Sequence, residues 1–344
     1  MDADTTRRPR SAADAVVVGG GVAGLGVAWR CAQRGLAVTL VEPAAGTGAS
    51  HVAAGMIAPV TEVAYGEEGV LALNLESARR WPQFAAELGD AAGVELPYVT
   101  DGTLAVAFSA DDRRALADLA RFQADLGLDV ERLRSRECRD VEPGLAPGIA
   151  GGMLVPSDHQ VEPRAVVAAL ATAAVRAGVA VLERRVAAVD CEDGRVRGVR
   201  LDDGEFVPAA TVVVATGAWT RHLDGVPDEV RSLVRPVKGQ ILRLHGALDR
   251  LPIRRTVRAL VEGRSVYAVP RSDGEVVVGA TVEEQGFDTG VTAEGVYELL
   301  RDALTVVPGL ADLELAEVAA GLRPATPDNA PLLGATSVDG LVMA

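Results

Sequence analysis

The sequence predicts an α/β protein in two parts. One is a parallel-sheet domain assembled from discontinuous segments; the other is an α+β domain built on an antiparallel sheet. Three observations lead there. Residues 15–42 run strand, glycine-rich turn, helix, strand. A second buried strand, ATVVVATGAW at 210–219, ends in Thr216-Gly217 far downstream. Around it the pattern changes to period two, with Asp-Gly turns at 193–194, 203–204 and 273–274, the mark of antiparallel hairpins.

Taken in order, Ala15–Val18 is a short β-branched run and predicts the first strand. Val22–Gln33 is small and apolar on nearly every side, which predicts a buried helix that Gly35 ends. Ala37–Val41 is the second strand, closed by Glu42. Residues 43–66 are a long Gly-, Ala-, Ser- and Thr-rich connection, and long connections tend to carry function. Helical periods follow at 68–89, 110–126 and 163–178, with a strand at Leu104–Phe108. VAAVDCEDGRVRGVRLDDGEFV reads as antiparallel strands. Gly239–Leu244, Ser265–Val269 and Glu275–Ala280 are strands, 292–304 a helix, and GLVMA at 340–344 opens another strand.

Composition narrows the function classes. A chain of 344 residues, 49% hydrophobic and 24% charged, is an ordinary globular balance and long enough for two domains. A net charge of -14 without a basic block argues against nucleic acid as a partner. No apolar run approaches the roughly 20 residues that span a bilayer, which argues against a membrane role. Residues 1–13 read as a disordered leader despite Arg7-Arg8, and the location as cytoplasmic. Cys31, Cys138 and Cys191 are far apart, so neither a disulfide framework nor a metal site is expected.

Gly19, Gly21 and Gly24 fit G-x-G-x-x-G, a motif that gains meaning from its context of strand before, helix after and an acid ending the next strand. Here Glu42 lies 18 residues beyond Gly24 and the context holds. Gly19 permits a tight turn, Gly21 close approach of a pyrophosphate, and Gly24 tight packing of helix on strand. With Val22 and Ala23, the helix N-terminus offers N–H groups and a positive dipole end, and Glu42 can accept from a ribose diol. NAD and FAD proteins share this motif. The small-residue loop at 46–58 and the distant ATG-ending strand with Thr216 and Gly217 favour FAD, hence an FAD-binding Rossmann-like domain. His51 and His159 lack the constellation of a general base.

These residues resemble the glycine oxidases of thiamine biosynthesis, within the D-amino-acid oxidase class of flavoproteins. The resemblance runs through VVVGGGVAG (16–24), AAGMIAP (53–59), HQVEP (159–163), VVVATGAW (212–219), PVKGQ (236–240), YAVPR (267–271), VVVGATVE (276–283) and AGLRPATPDNAPLLG (320–334). It implies that Ala54, Gly55 and Met56 lie against the flavin ring and that the Val186 backbone meets the adenine side. It implies that Tyr267 and Arg323 hold the substrate carboxylate. Met56 and Val282 would line the substrate pocket, where a methionine is common at the Val282 position, so the pocket here is reshaped. The implied domains are 14–60, 150–230 and 320–344 for FAD, and 61–149 and 231–319 for substrate. The implied activity is oxidative deamination of glycine, sarcosine or small D-amino acids. A hydride passes to flavin N5, O2 is reduced to H2O2, and the imine serves thiazole formation, with thiazole synthase as pathway partner. Members of the class often form homo-oligomers. A D-amino-acid dehydrogenase or a sarcosine oxidase-like enzyme is the near alternative; a flavin-free truncated remnant is the far one. In this family a strand like GLVMA continues into a turn bearing a second carboxylate-binding arginine. The stop at Ala344 therefore leads us to expect a fragment that binds FAD weakly.

Overall fold

A computed structural model describes residues 13–344. The leader expected at 1–13 lies outside the described residues apart from Ala13, which opens the first strand. The chain divides into two units. The first contains the described residues up to Thr47, Leu170–Arg235 and Pro331–Ala344; the second contains Gly48–Ala169 and Pro236–Ala330.

The first unit is built on five parallel strands in the order Ala180–Leu182, Val38–Val41, Ala13–Val18, Phe206–Val214, Leu341–Met343. The central strand is buried on both faces, with Val16 and Val17 fully covered, which is why it reads as an unbroken β-branched run. Val18 pairs with Val41 on one side and Val214 on the other. That register brings Gly19, Glu42 and Ala215 out at one edge of the sheet, where ligands bind in open α/β sheets. Val186–Glu192 and Arg195–Leu201 extend the sheet as antiparallel strands on the first half of Phe206–Val214. Val16, Val18, Val212, Val214 and Leu341 form part of this unit's core.

Helix Val22–Gln33 forms as expected, and the Gly35 N–H bonds back to the Ala32 carbonyl at 2.9 Å. It is not buried all round. Gly24, Leu25, Ala28 and Trp29 are buried, whereas Val22 and Ala23 are exposed, because the helix leans on the sheet along a single face.

The second unit carries an eight-stranded sheet in the order Glu314–Ala325, Arg235–His245, Glu275–Gly279, Arg264–Pro270, Thr256–Val261, Thr103–Ala107, Gly151–Val155, Glu131–Arg134. Period-two alternation gives it two faces. Leu242, Leu244, Val257, Ala259, Val266, Ala268, Val276 and Val278 pack with Leu299, Ala303 and Val306 of helix Ala293–Val306. The opposite face carries a register row: Ile241 pairs with Gly279, Gly279 with Tyr267, Tyr267 with Arg258, Arg258 with Ala105 and Ala105 with Met153. A small antiparallel sheet joins Met56–Ile57, His159–Val161 and Tyr98–Val99.

Residues 48–60, 150–169 and 320–330 cluster with the second unit, although the sequence reading grouped them with the dinucleotide-binding segments. They are held there by strand pairing of His159–Val161 with Tyr98–Val99 as well as with Met56–Ile57, and of Glu314–Ala325 with Arg235–His245. No described helix is long and apolar enough to cross a membrane.

Candidate active site

In the first unit the glycine turn closes tightly. Gly19 has φ +108°, and a β-carbon there would lie 2.4 Å from the Ala215 carbonyl oxygen. A β-carbon on Gly24 would lie 1.9 Å from the Gly19 carbonyl oxygen, so the helix can start where it does only with glycine at that position. Gly21 is the N-cap of helix Val22–Gln33 and no side chain caps it. The Glu42 carboxylate accepts from the Gly20 N–H at 2.7 Å and the Ala44 N–H at 3.0 Å, which fixes its position beside the turn. Gly217 has φ +55°, and the Thr216 hydroxyl lies 2.9 Å from that of Thr220. Val186 opens the outer antiparallel strand, paired with Leu201.

The second unit contains a cavity of about 650 Å³ with a mostly apolar lining. Ala54, Gly55, Met56, Tyr267, Val282 and Arg323 all border it, so residues that the sequence scatters over 270 positions share one space. Arg323 donates through Nη1 to the carbonyls of Thr281 at 3.1 Å and Lys238 at 3.4 Å. Among the described residues it meets no carboxylate, so the common fate of an arginine, a surface ion pair, does not apply. The Tyr267 phenol has no hydrogen-bond partner among the described residues. Burial raises its pKa against the opposing pull of Arg323 and Arg258, so the hydroxyl stays protonated as a donor at neutral pH. Val282 is 77% exposed.

These groups are set from behind. The fully buried Lys238 ammonium meets Glu283 at 3.2 Å. Glu283 also accepts from Gln240 at 2.7 Å and Thr281 at 2.5 Å. Burial alone would raise the Glu283 carboxyl; these hydrogen bonds outweigh it and lower its pKa. The network holds the segment whose Thr281 carbonyl receives Arg323. Arg271, buried, donates to the Val161 carbonyl at 2.9 Å, to Gln160 Oε1 at 2.7 Å and to the Ala54 carbonyl, with Glu162 at 3.1 Å from its Nε. It therefore anchors the Ala54–Met56 segment. Buried Asp158 accepts from Val60 N at 3.1 Å, Thr61 N at 2.7 Å and Thr61 Oγ1 at 2.6 Å, pinning the segment before Glu62.

The family described as FAD dependent oxidoreductase (DAO) matches residues 14–344. The chain belongs to this family. It is 33% identical over 335 residues to the bifunctional protein ThiO/ThiG of Trichormus variabilis, covering 96% of this chain and 49% of that protein. It is 32% identical to the glycine oxidase of Geobacillus kaustophilus, covering 93% of this chain and 84% of that one. The crystal structure of that glycine oxidase superposes with a TM-score of 0.87, covering 96% of this chain and 88% of the other. The chain thus spans about half the length of the bifunctional relatives it matches.

The members of this family are FAD-dependent, and the first unit suits the group. Gly19 and Gly24 leave a cradle that a β-carbon would fill, beside a helix start that no side chain caps. Sequence reasoning missed several residues in and beneath this cavity. Gly239 and Gly279 lie beneath Arg323 and Tyr267, and Arg258 and Glu62 border the same space. Arg258 sits on strand Thr256–Val261, which a sequence signal marks in retrospect: Glu262 (φ +52°) and Gly263 (φ +79°) form a two-residue hairpin turn between β-branched runs. His51 and His159 serve structure. The His51 carbonyl accepts from Arg164 at 3.0 Å and Arg243 at 3.2 Å, and His159 Nδ1 lies 2.5 Å from the Tyr98 hydroxyl.

Proposed function

We propose that this chain is an FAD-dependent amino-acid oxidase that deaminates glycine and, by extension, sarcosine or small D-amino acids. The observation that carries the reading is Arg323, a guanidinium without a carboxylate partner among the described residues. It shares a cavity with a protonated Tyr267 and with the Ala54–Met56 segment. The names of the glycine oxidase and ThiO/ThiG relatives point the same way.

When bound, FAD supplies the two-electron acceptor that the protein lacks. Gly19, Gly21, Val22, Ala23 and Gly24 would hold its pyrophosphate, Glu42 its ribose, Val186, Thr216 and Gly217 neighbouring parts, and Ala54, Gly55 and Met56 its ring. Among the described residues the Arg323 hydrogen bonds run through Nη1, which leaves Nε and Nη2 as a pair of donors matched to the two oxygens of a carboxylate. The Tyr267 hydroxyl adds a donor to the same carboxylate. With the carboxylate fixed, the α-carbon and amine have one orientation, and positioning is the main contribution of these side chains. Met56 and Val282 bound the space left for a substituent. The amino acid loses two electrons and two protons to become an imine, and O2 accepts the electrons as H2O2. The imine is hydrolysed or passes to thiazole formation, with thiazole synthase as pathway partner. The reading includes self-association and a cytoplasmic setting.

The test is the visible spectrum of the purified chain with added FAD, before and after anaerobic glycine. Bleaching of the flavin band is the expected result. A bound flavin that no amino acid bleaches would overturn the reading.

A further inference from the structure

We infer that Arg258 forms a second anion-binding position in this cavity, so that its preferred substrates are amino acids whose side chain carries a further carboxylate. The inference rests on the oxidase reading above and deepens it.

Arg258 is the direct cross-strand partner of Tyr267 on the antiparallel pair Thr256–Val261 and Arg264–Pro270, so the two side chains leave the sheet on the same face. In strand order Arg258 follows Tyr267 on the side away from Arg323. Its next neighbours on the row are Ala105 and Met153, and Leu116, Leu119 and Leu260 border the same end of the cavity. A cation on this apolar floor is costly, and burial lowers its pKa. A methionine or leucine would fill the space without that cost. Packing therefore does not account for the charge.

Its one hydrogen-bond partner among the described residues is the carboxylate of Glu62, which also borders the cavity. Glu62 is half-exposed, with 48% of its side chain open, and follows the segment that Asp158 pins. With its acidic partner half open to water, this ion pair contributes little, so an arriving carboxylate can take the guanidinium at small cost. Glu62 thus acts as a resident stand-in for a ligand carboxylate. The cavity then offers a carboxylate position at Arg323 and another at Arg258, with the Tyr267 phenol between them. The strands bearing Gly239, beneath Arg323, and Arg258 are three spacings apart, about 14 Å at backbone level before side-chain reach is subtracted. That span suits a dicarboxylate with several intervening carbons. Glycine engages Arg323 alone.

The test compares D-glutamate with its neutral isostere D-glutamine by anaerobic flavin reduction in the FAD-loaded chain, as such and as Arg258→Met and Glu62→Gln. The chain is expected to prefer D-glutamate by about ten-fold in kcat/KM. Arg258→Met should remove that preference. Glu62→Gln should strengthen it, because the internal competitor is gone. In parallel, calorimetry on the flavin-free chain measures glutarate against butyrate; glutarate should bind more tightly, and Arg258→Met should abolish the difference. Equal use of both amino acids, with a ratio unmoved by either substitution while glycine still bleaches the flavin, overturns the inference and leaves the oxidase reading intact. If no amino acid bleaches the flavin, the oxidase reading falls. The calorimetry then decides alone, and equal binding of glutarate and butyrate overturns the inference.

Discussion

The guanidinium of Arg323 lies over the backbone of Gly239, so closely that a β-carbon there would come within 2.3 Å of Nη1 and 2.6 Å of Cζ. The same device recurs on the next strand, where a β-carbon at Gly279 would meet the Tyr267 hydroxyl at 2.3 Å. Two bare glycines thus let two long side chains lie down across adjacent strands and converge above the sheet.

Filling either space should therefore move function more than stability. Neither Gly239 nor Gly279 has a positive φ, so alanine at either position meets no left-handed backbone strain. The atoms it would strike belong to the far ends of an arginine and a tyrosine side chain. Gly239→Ala and Gly279→Ala should each cost under about 1 kcal/mol in urea unfolding, below the usual penalty of overpacking. Displacing a positioning group by about 1 Å costs up to 100-fold in rate, so kcat/KM for glycine should fall well beyond the stability effect. Equal, small losses in both measurements would count against the convergence described above.

Removing the cation itself gives the complementary result. Arg323→Met should reduce kcat/KM for glycine by about 100-fold, the equivalent of one charged hydrogen-bonding group. Arg323→Lys should recover part of it, since an ammonium keeps the charge without the two-donor fork. Steady-state peroxide production against glycine concentration separates a KM effect from a kcat effect.

Arg271 acts through structure. Its guanidinium joins Ala54, Gln160, Val161 and Glu162 while buried. Arg271→Met strands the Glu162 carboxylate and frees the carbonyl that holds the Ala54–Met56 segment. We expect a loss of about 3–5 kcal/mol in denaturant unfolding, the range for breaking a buried pair from one side.

Glu317 supplies a pH signature. Arg164 donates to its two oxygens at 2.8 and 3.1 Å while also binding the His51 carbonyl, which ties helix Ala49–Val52 to strand Glu314–Ala325. The hydrogen bond from Arg164 lowers the Glu317 pKa from its ordinary 4.5. A depressed folded pKa means stabilisation that is present above the unfolded value and lost as pH falls through the folded one. Glu317→Gln should therefore be less stable than the parent chain at pH 7 and indistinguishable from it at the acid end of the titration. About a third of each side chain is exposed, so the gap at pH 7 should stay under about 1 kcal/mol. Thermal unfolding across that pH range measures it.

Local chemistry made the first unit legible in the sequence. A β-branched run, three glycines, a small-residue helix and an acid lie within 28 residues, and each step depends on near neighbours. The long helices and the Asp-Gly hairpins were legible for the same reason. Strand Glu314–Ala325, which carries Arg323, was not read as a strand because much of it is exposed, so its side chains show no buried period. Thr256–Val261 escaped with it, and with that strand went Arg258. The sequence by itself marked a candidate dinucleotide cradle and the alternation of the strands, and its family resemblance marked Arg323 and Tyr267 as candidates. Only the tertiary structure decided that Arg323 lacks a carboxylate partner among the described residues, that Gly239 and Gly279 make room beneath the pair, and that Arg258 shares their cavity. Those facts depend on strand register between segments far apart in the chain, and register is set by the burial of whole sheet faces, which no local window contains.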